Sequence, residues 1–167
     1  MILGIYTLLH VLISLGGIFL GLFISFGLLT ARRFEGWTKS FLITSMLTSM
    51  TGFFFPFHGI TPVVVVGVIS LVLLALAFFA RYKRDLVGGW RNTYVVNAVL
   101  ALYLNVFVLI VQSFLKIPAL RRIAPTQCDT PFKLTQLVVL VVFMLLAVVA
   151  AIRFRAERTL SILEGKE

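Results

Sequence analysis

The chain has 167 residues, of which 60% are hydrophobic and 13% charged, and its mean hydropathy is +1.09. Soluble domains are about half apolar and about a quarter charged, so this composition excludes an ordinary soluble protein and indicates a polytopic membrane protein. The net charge of +9 does not indicate nucleic acid, because no long polar segment interleaves basic and aromatic residues. Basic residues of this kind are typical of the cytoplasmic flanks of membrane helices.

Five apolar stretches reach about the 20 residues that are needed to cross a bilayer. They are roughly 2–30, 41–57, 62–80, 94–115 and 134–152. The pattern predicts an all-α membrane protein, a compact bundle of five transmembrane helices. Residues 153–167 are expected to continue the last span as a basic cytoplasmic helical tail. A single re-entrant hairpin is the alternative for the second and third stretches, since Gly59 and Pro62 break the chain between them.

The basic residues also predict the orientation of the bundle. Eleven lysines and arginines follow the first, third and fifth spans, whereas four lie on the other side. This asymmetry places the N-terminus outside and the C-terminus in the cytoplasm. Trp37 and Trp90 then fall at the inner boundary, where indole anchors are expected. The first stretch is not expected to be a cleaved signal peptide, because no positive segment precedes it.

In the first span, His10 is followed at helical spacing by Ser14, Gly17, Gly21 and Ser25. Small residues at this spacing let helices approach closely, so this face, with His10 on it, is predicted to point into the bundle.

The second span carries Ser45, Thr48, Ser49 and Gly52 at spacings of three and four residues. Such a stripe is typical of a helix-packing seam whose hydroxyls bond to backbone carbonyls. We expect this seam to pair with the polar face of the fourth span.

Asn97, Asn105 and Gln112 form that polar face, at spacings of eight and seven residues. Asn97 is assigned to helix packing, and Asn105 and Gln112 to ligand binding. A carboxamide in hydrocarbon costs free energy unless it is hydrogen-bonded, so the face must contact a helix, a ligand or water.

Residues 116–133 form a proline-rich outer segment that is either a lid over the bundle or an ordered connector. It holds Cys128, the single cysteine of the chain. A lone cysteine excludes an intrachain disulfide, a CxxC redox pair and a cysteine-rich zinc site. No span carries a carboxylate, which argues against ion-coupled transport, paired-carboxylate hydrolysis and a di-iron site.

Several uncharged polar residues are expected near the outer leaflet, where they form a half-apolar pocket. They are His10, His58, Gln112, Gln127 and Gln136, with Asn105 deeper. Such a pocket suits a quinone head group, a lipid-like molecule or the edge of a haem. Alternatively, these residues only satisfy backbone groups at helix ends.

The two histidines allow a sharper hypothesis, in which His10 and His58 are axial ligands of haem b or two ligands of a metal. The alternative is a packing histidine and a solvated loop histidine. No metal site is predicted, because a third ligand is missing. Their different depths also argue against haem.

Four strings, FPFHG (55–59), ALYLNVFVLIVQ (101–112), KIPAL (116–120) and APTQ (124–127), resemble an uncharacterised family of small bacterial membrane proteins. The resemblance implies a multi-pass protein of the bacterial inner membrane, and it brings no activity. Members often have a histidine near the start of the third span, where this chain has Val63–Val66.

Three functions remain open. The first is a non-catalytic binding or accessory protein with an outward-facing polar pocket, which is a subunit of a larger membrane complex or a homo-oligomer. The second is a redox protein that holds haem b or quinone through His10. The third is a facilitator for a neutral or anionic small solute, lined by Asn97, Asn105 and Gln112.

Overall fold

The computed structural model describes residues 2–30, 34–55 and 62–164, and no strand occurs within these ranges. Its helices are, in chain order, α1 (Ile2–Leu29), α2 (Glu35–Gly52), α3 (Pro62–Tyr82), α4 (Trp90–Lys116), α5 (Pro118–Ile123) and α6 (Thr130–Glu164). Four of them, α1, α3, α4 and α6, are long and apolar enough to cross a membrane. The chain is therefore a bundle of helices of the multi-pass membrane type.

α2 is more polar than the other long helices, because seven of its 18 residues are serine or threonine. At 1.5 Å per residue it is about 27 Å long. It runs antiparallel to α1: the Tyr6 hydroxyl donates to the Thr51 carbonyl near one end, and the Phe23 and Trp37 rings lie 5.0 Å apart near the other. α2 therefore accompanies α1 along most of its length, unlike one arm of a short re-entrant hairpin.

The remaining long helices also alternate in direction. Phe79 of α3 packs against Trp90 of α4 where the chain turns between them. α4 and α6 are antiparallel, since Phe114 meets Phe132 at one end and Tyr94 meets Phe154 at the other. We call the two ends of the bundle the Lys116 end and the Arg153 end. The Arg153 guanidinium donates to the Leu29 carbonyl at 3.2 Å, which fixes the last helix beside the end of the first.

The main hydrophobic core lies in the half of the bundle toward the Arg153 end. Phe41, Leu74, Tyr94 and Leu102 are each 1% exposed there. α4 is the central helix and contacts α1, α2, α3, α5 and α6. Among the described residues, the Lys116 half has one small buried cluster, formed by α4, Ala124 and the start of α6, so the packing there is looser where the sequence predicts a pocket.

The predicted bounds of the second span are wrong at both ends. The helix begins at Glu35 instead of 41 and ends at Gly52 instead of continuing through Phe53–Phe55, and positions 56 and 57 lie outside the described residues. Hydropathy missed the start because 35–40 is polar, although Trp37 packs on Phe23. At the other end, proline at position 56 disfavours helical geometry in the residue before it.

The outer segment 116–133 is more structured than the sequence predicts. Pro118 starts α5, and Pro131 lies in the first turn of α6. Proline fits a first turn because the N–H that it lacks would have no helical partner there. Ile117 and 124–129 are the non-helical residues of this segment. The Asp129 carboxylate accepts hydrogen bonds from the N–H and hydroxyl of Thr126.

Candidate functional site

A cavity of about 130 Å³ lies between α1, α2, α3 and α4 in the Lys116 half of the bundle. Its walls are mostly valine, leucine, phenylalanine and glycine. Seven polar side chains of the described residues also line it: His10, Ser14, Thr48, Ser49, Ser70, Asn105 and Gln112. No charged residue lines it within the described ranges, so this part of the wall is neutral and largely apolar.

His10 is held by the α2 helix. Its Nδ1 atom lies 2.8 Å from the Thr51 hydroxyl, and its ring meets Phe55 edge to face at 5.1 Å. The Ser14 hydroxyl donates to the His10 carbonyl, so it is turned back onto its own helix. These contacts fix the imidazole at the cavity wall.

Asn105 joins α4 to α2 well inside the bundle. Its Nδ2 donates to the hydroxyl of Ser45 at 3.2 Å, and Ser45 is fully buried. Asn105 lies 11 residues before Lys116, which is about 16 Å along the axis. The other hydrogen of the amide has no partner among the described residues and is available to the cavity.

Thr48 differs from the neighbouring threonines of α2. Thr44 and Thr51 donate their hydroxyls to backbone carbonyls one turn back, at 2.8 and 2.7 Å. The Thr48 hydroxyl is buried without a hydrogen-bond partner among the described residues, although Thr48 lines the cavity. A buried hydroxyl without a partner is unfavourable, so Thr48 is a candidate contact for a bound molecule.

The cavity is open on one side, between α1 and α4. Val11 (39%), Leu15 (44%) and Leu109 (37%) line it and are also exposed. The two helices come into close contact nearer the Arg153 end, where Gly21 meets Leu102. Leu109 precedes Lys116 by seven residues, so the opening lies about 10 Å inside the bundle's end, within its apolar surface.

The size of the cavity limits what it can hold. An apolar protein cavity of about 150 Å³ accepts one benzene molecule. The cavity here therefore has room for one ring or a head group of similar size, with a chain extending through the open side. A porphyrin is much larger, so the arrangement of these helices does not favour haem.

The structure brings together His10, Asn105 and Gln112 of the predicted ligand residues, with Ser14 and Ser49 of the predicted packing residues. Gln127 is exposed in the non-helical segment, away from the cavity. The remaining histidine of the chain, at position 58, lies outside the described residues.

Gln136 is also separate from the cavity, because it belongs to α6 on the other side of α4. Its Nε2 donates to the Phe107 carbonyl at 3.2 Å. Its Oε1 is buried without a partner among the described residues.

The prediction that Asn97 shares the face of Asn105 and Gln112 is wrong. At about 100° per residue, seven residues return within about 20° of the same direction, whereas eight residues turn the helix about 80° further. Asn97 accordingly donates to the Thr93 carbonyl of its own helix at 2.7 Å.

The small residues of α1 form the contact with α2 and α4. Gly17 lies against Thr44 and Ser45, and a Cβ on Gly21 would lie 2.5 Å from Leu102 Cδ1. Ser25 is buried and donates to the Gly21 carbonyl.

Ser70 and Gly67 of α3 also line the cavity, and sequence reasoning did not find them. Ser70 was detectable, since it is the single serine or threonine within a long apolar helix. Gly67 gave no signal, and its role follows from the Phe53 ring, which lies 3.0 Å from where a Cβ would be.

No group of three or more metal-ligating side chains occurs within the described ranges. No family model, curated protein or solved structure matches this chain. The resemblance to small bacterial membrane proteins therefore stays a prediction, and function has to be argued from the cavity.

Proposed function

We propose that this protein is a non-catalytic membrane protein that binds a lipid-like molecule through a small uncharged head group. The observation that carries the proposal is the neutral cavity with its polar inner wall and its opening between α1 and α4. Ligand sites are usually concave and apolar with a few polar groups that set orientation. A head group would reach His10, Asn105 and Thr48 while its chain stays in the bilayer.

The proposal includes five membrane crossings in a bacterial inner membrane, with the Lys116 end outside. α2 supports the fifth crossing, because it runs beside α1 and six of its seven serines and threonines are buried or half-buried. Basic side chains near the Arg153 end support the orientation; they include Lys39, Arg81, Lys83, Arg84 and Arg91. The site then lies in the outer leaflet, where it can receive a molecule by lateral diffusion.

The facilitator hypothesis has less support. A solute path along α4 would need polar groups from one end to the other, and Asn97 is bonded to its own helix. Phe41, Leu102 and Tyr94 fill the bundle between the cavity and the Arg153 end, each 1% exposed. The polar groups therefore end in a pocket that has no path toward the Arg153 end among the described residues.

The test compares the molecules that co-purify with three proteins in mild detergent. Val108→Phe adds a ring at the cavity wall, whereas Val138→Phe adds the same ring on the surface of α6, where Val138 is 53% exposed. Mass spectrometry should find a neutral lipid-like molecule with the parent and Val138→Phe, and much less of it with Val108→Phe. Equal recovery from all three would contradict the proposal.

A visible absorption spectrum of each preparation, oxidised and then dithionite-reduced, completes this test. We expect no Soret band. A Soret band with sharp reduced α and β bands that depends on His10 would replace the proposal with the redox alternative, because His10 would then hold haem b.

A further inference from the structure

The hydrogen bonds around His10 assign the proton on its imidazole. The Thr51 hydroxyl has one hydrogen, and its oxygen lies 2.7 Å from the Leu47 carbonyl, an acceptor without a proton. That hydrogen is donated to the carbonyl. The Thr51 oxygen lies 2.8 Å from His10 Nδ1. Because its own hydrogen is already donated, this oxygen accepts a hydrogen bond from His10, so Nδ1 carries the N–H.

The assignment leaves the second ring nitrogen as an acceptor. A neutral imidazole has one N–H, so His10 Nε2 has a lone pair and no hydrogen. Nε2 has no hydrogen-bond donor among the described residues, and His10 lines the cavity. The cavity therefore offers a neutral acceptor at an apolar depth, where an unfilled acceptor is unfavourable.

The other polar groups of the site are able to donate. The Thr48 hydroxyl is buried without a partner among the described residues. Gln112 has an amide without a hydrogen-bond partner within the described ranges, and Asn105 has a second amide hydrogen beyond the one given to Ser45. A hydroxyl head group suits both kinds of group, because it donates to an acceptor and its oxygen accepts from a donor.

Charged head groups suit the site poorly. Among the residues that the structure describes, no lysine, arginine, aspartate or glutamate lines the cavity. A phosphate or carboxylate without a countercharge is costly in such apolar surroundings. A methyl ether or ester of the same size accepts hydrogen bonds but leaves His10 Nε2 unfilled. We therefore expect the site to bind a head group with an O–H donor more tightly than an ether or ester of the same size.

We propose that the ligand is a lipid-soluble alcohol or phenol whose hydroxyl donates to His10 Nε2. The hydroquinones belong to this class. The inference rests on the proposed function, because it names the head group of the molecule bound there. Thr51 acts as a positioning residue, since it keeps the proton on Nδ1 and the lone pair of Nε2 toward the site.

The test uses ¹⁵N-histidine NMR of the full chain in phospholipid bilayers, with two probes at equal mole fraction: 4-nonylphenol and its methyl ether. The chain has two histidines, so the spectrum of His10→Gln assigns the His10 signals. In the free protein Nδ1 should be protonated and Nε2 not. The phenol should move the Nε2 signal upfield and bind about 3- to 10-fold more tightly than the ether, the worth of one neutral hydrogen bond.

Two Thr51 variants show whether the proton matters. Thr51→Val removes the acceptor and should shift the proton partly to Nε2, with loss of the preference for the phenol. Thr51→Ser keeps the hydroxyl and should keep both the tautomer and the preference.

Three results of these NMR and binding measurements would contradict different steps of the proposal. A proton on Nε2 in the free protein would overturn the inference at its first step. Equal binding of phenol and ether, with the Nε2 signal unmoved, would overturn the choice of ligand and leave lipid binding in place. Failure of both probes to bind in the cavity would overturn the proposed function and this inference with it.

Discussion

Replacing Gly21 by alanine should destabilise the bundle more than the same change at Gly4, Gly16 or Gly17 of α1. The added Cβ would lie 2.5 Å from Leu102 Cδ1 and 2.7 Å from Phe41 Cε2. Cβ atoms in proteins keep their neighbours more than 3.0 Å away, so the Leu102 and Phe41 side chains, or the backbone of α1, must shift. Leu102 and Phe41 are each 1% exposed, so both side chains are enclosed by neighbours that must also adjust. Overpacking of this kind costs about 1–3 kcal/mol.

Alanine has a higher helix propensity than glycine, worth up to about 1 kcal/mol in a helix interior. The net destabilisation by Gly21→Ala should therefore be about 0–2 kcal/mol, and its difference from a glycine-to-alanine change that meets no neighbour should be about 1–3 kcal/mol. Gly16→Ala is the matched control, because a Cβ there would meet nothing within 4 Å. Thermal and denaturant unfolding of both variants in one detergent would measure the difference. If Gly21→Ala were as stable as Gly16→Ala, the close approach of α1 to α2 and α4 would be refuted.

Three further changes test single polar groups. Asn105→Leu should lower the free energy of unfolding by about 0.5–2 kcal/mol, because it removes the hydrogen bond to buried Ser45, whereas Asn97→Leu should be nearly neutral. Unfolding midpoints would compare the two variants. Equal effects would contradict a stabilising role for the Asn105–Ser45 hydrogen bond. Thr48→Val should stabilise the ligand-free protein by about 0.5–1 kcal/mol, since it removes an unpaired buried hydroxyl, and should weaken ligand binding; a loss of stability without any effect on binding would contradict this. Gln136→Leu should change stability by less than about 1 kcal/mol, because one bond and one unpaired oxygen disappear together, and a larger loss in the same assay would show that Oε1 has a partner.

The sequence predicts most of the helices, because hydropathy directly reports which segments avoid water. Hydropathy gives wrong bounds where a helix is longer than its apolar stretch. This happens at the start of α2, which is polar from Glu35 to Ser40. The prolines of 116–133 favoured the prediction of a lid or a connector. Pro118 and Pro131 instead lie in the first turns of α5 and α6, a position that proline suits. The error at Asn97 arose from treating an eight-residue step as two helical turns.

The candidate site was partly predictable. The small residues that follow His10 predict that its side chain points into the bundle. Asn105 and Gln112 are predicted to share a face, because seven residues are close to two helical turns. The free hydroxyl of Thr48 depends on a rotamer, and the opening depends on how α1 diverges from α4. Neither property is encoded in a local pattern, so both required the three-dimensional structure.

We expect a molecule to enter the cavity from the bilayer between α1 and α4. Photocrosslinking in bilayers with an alkylphenol that carries a diazirine near its ring, followed by peptide mapping, measures this entry. We expect labelling of 10–18 in α1 and 104–112 in α4, reduced in Val108→Phe and unchanged in Val138→Phe. Labelling spread over the exposed face of α6, with no excess at those two segments, would contradict it.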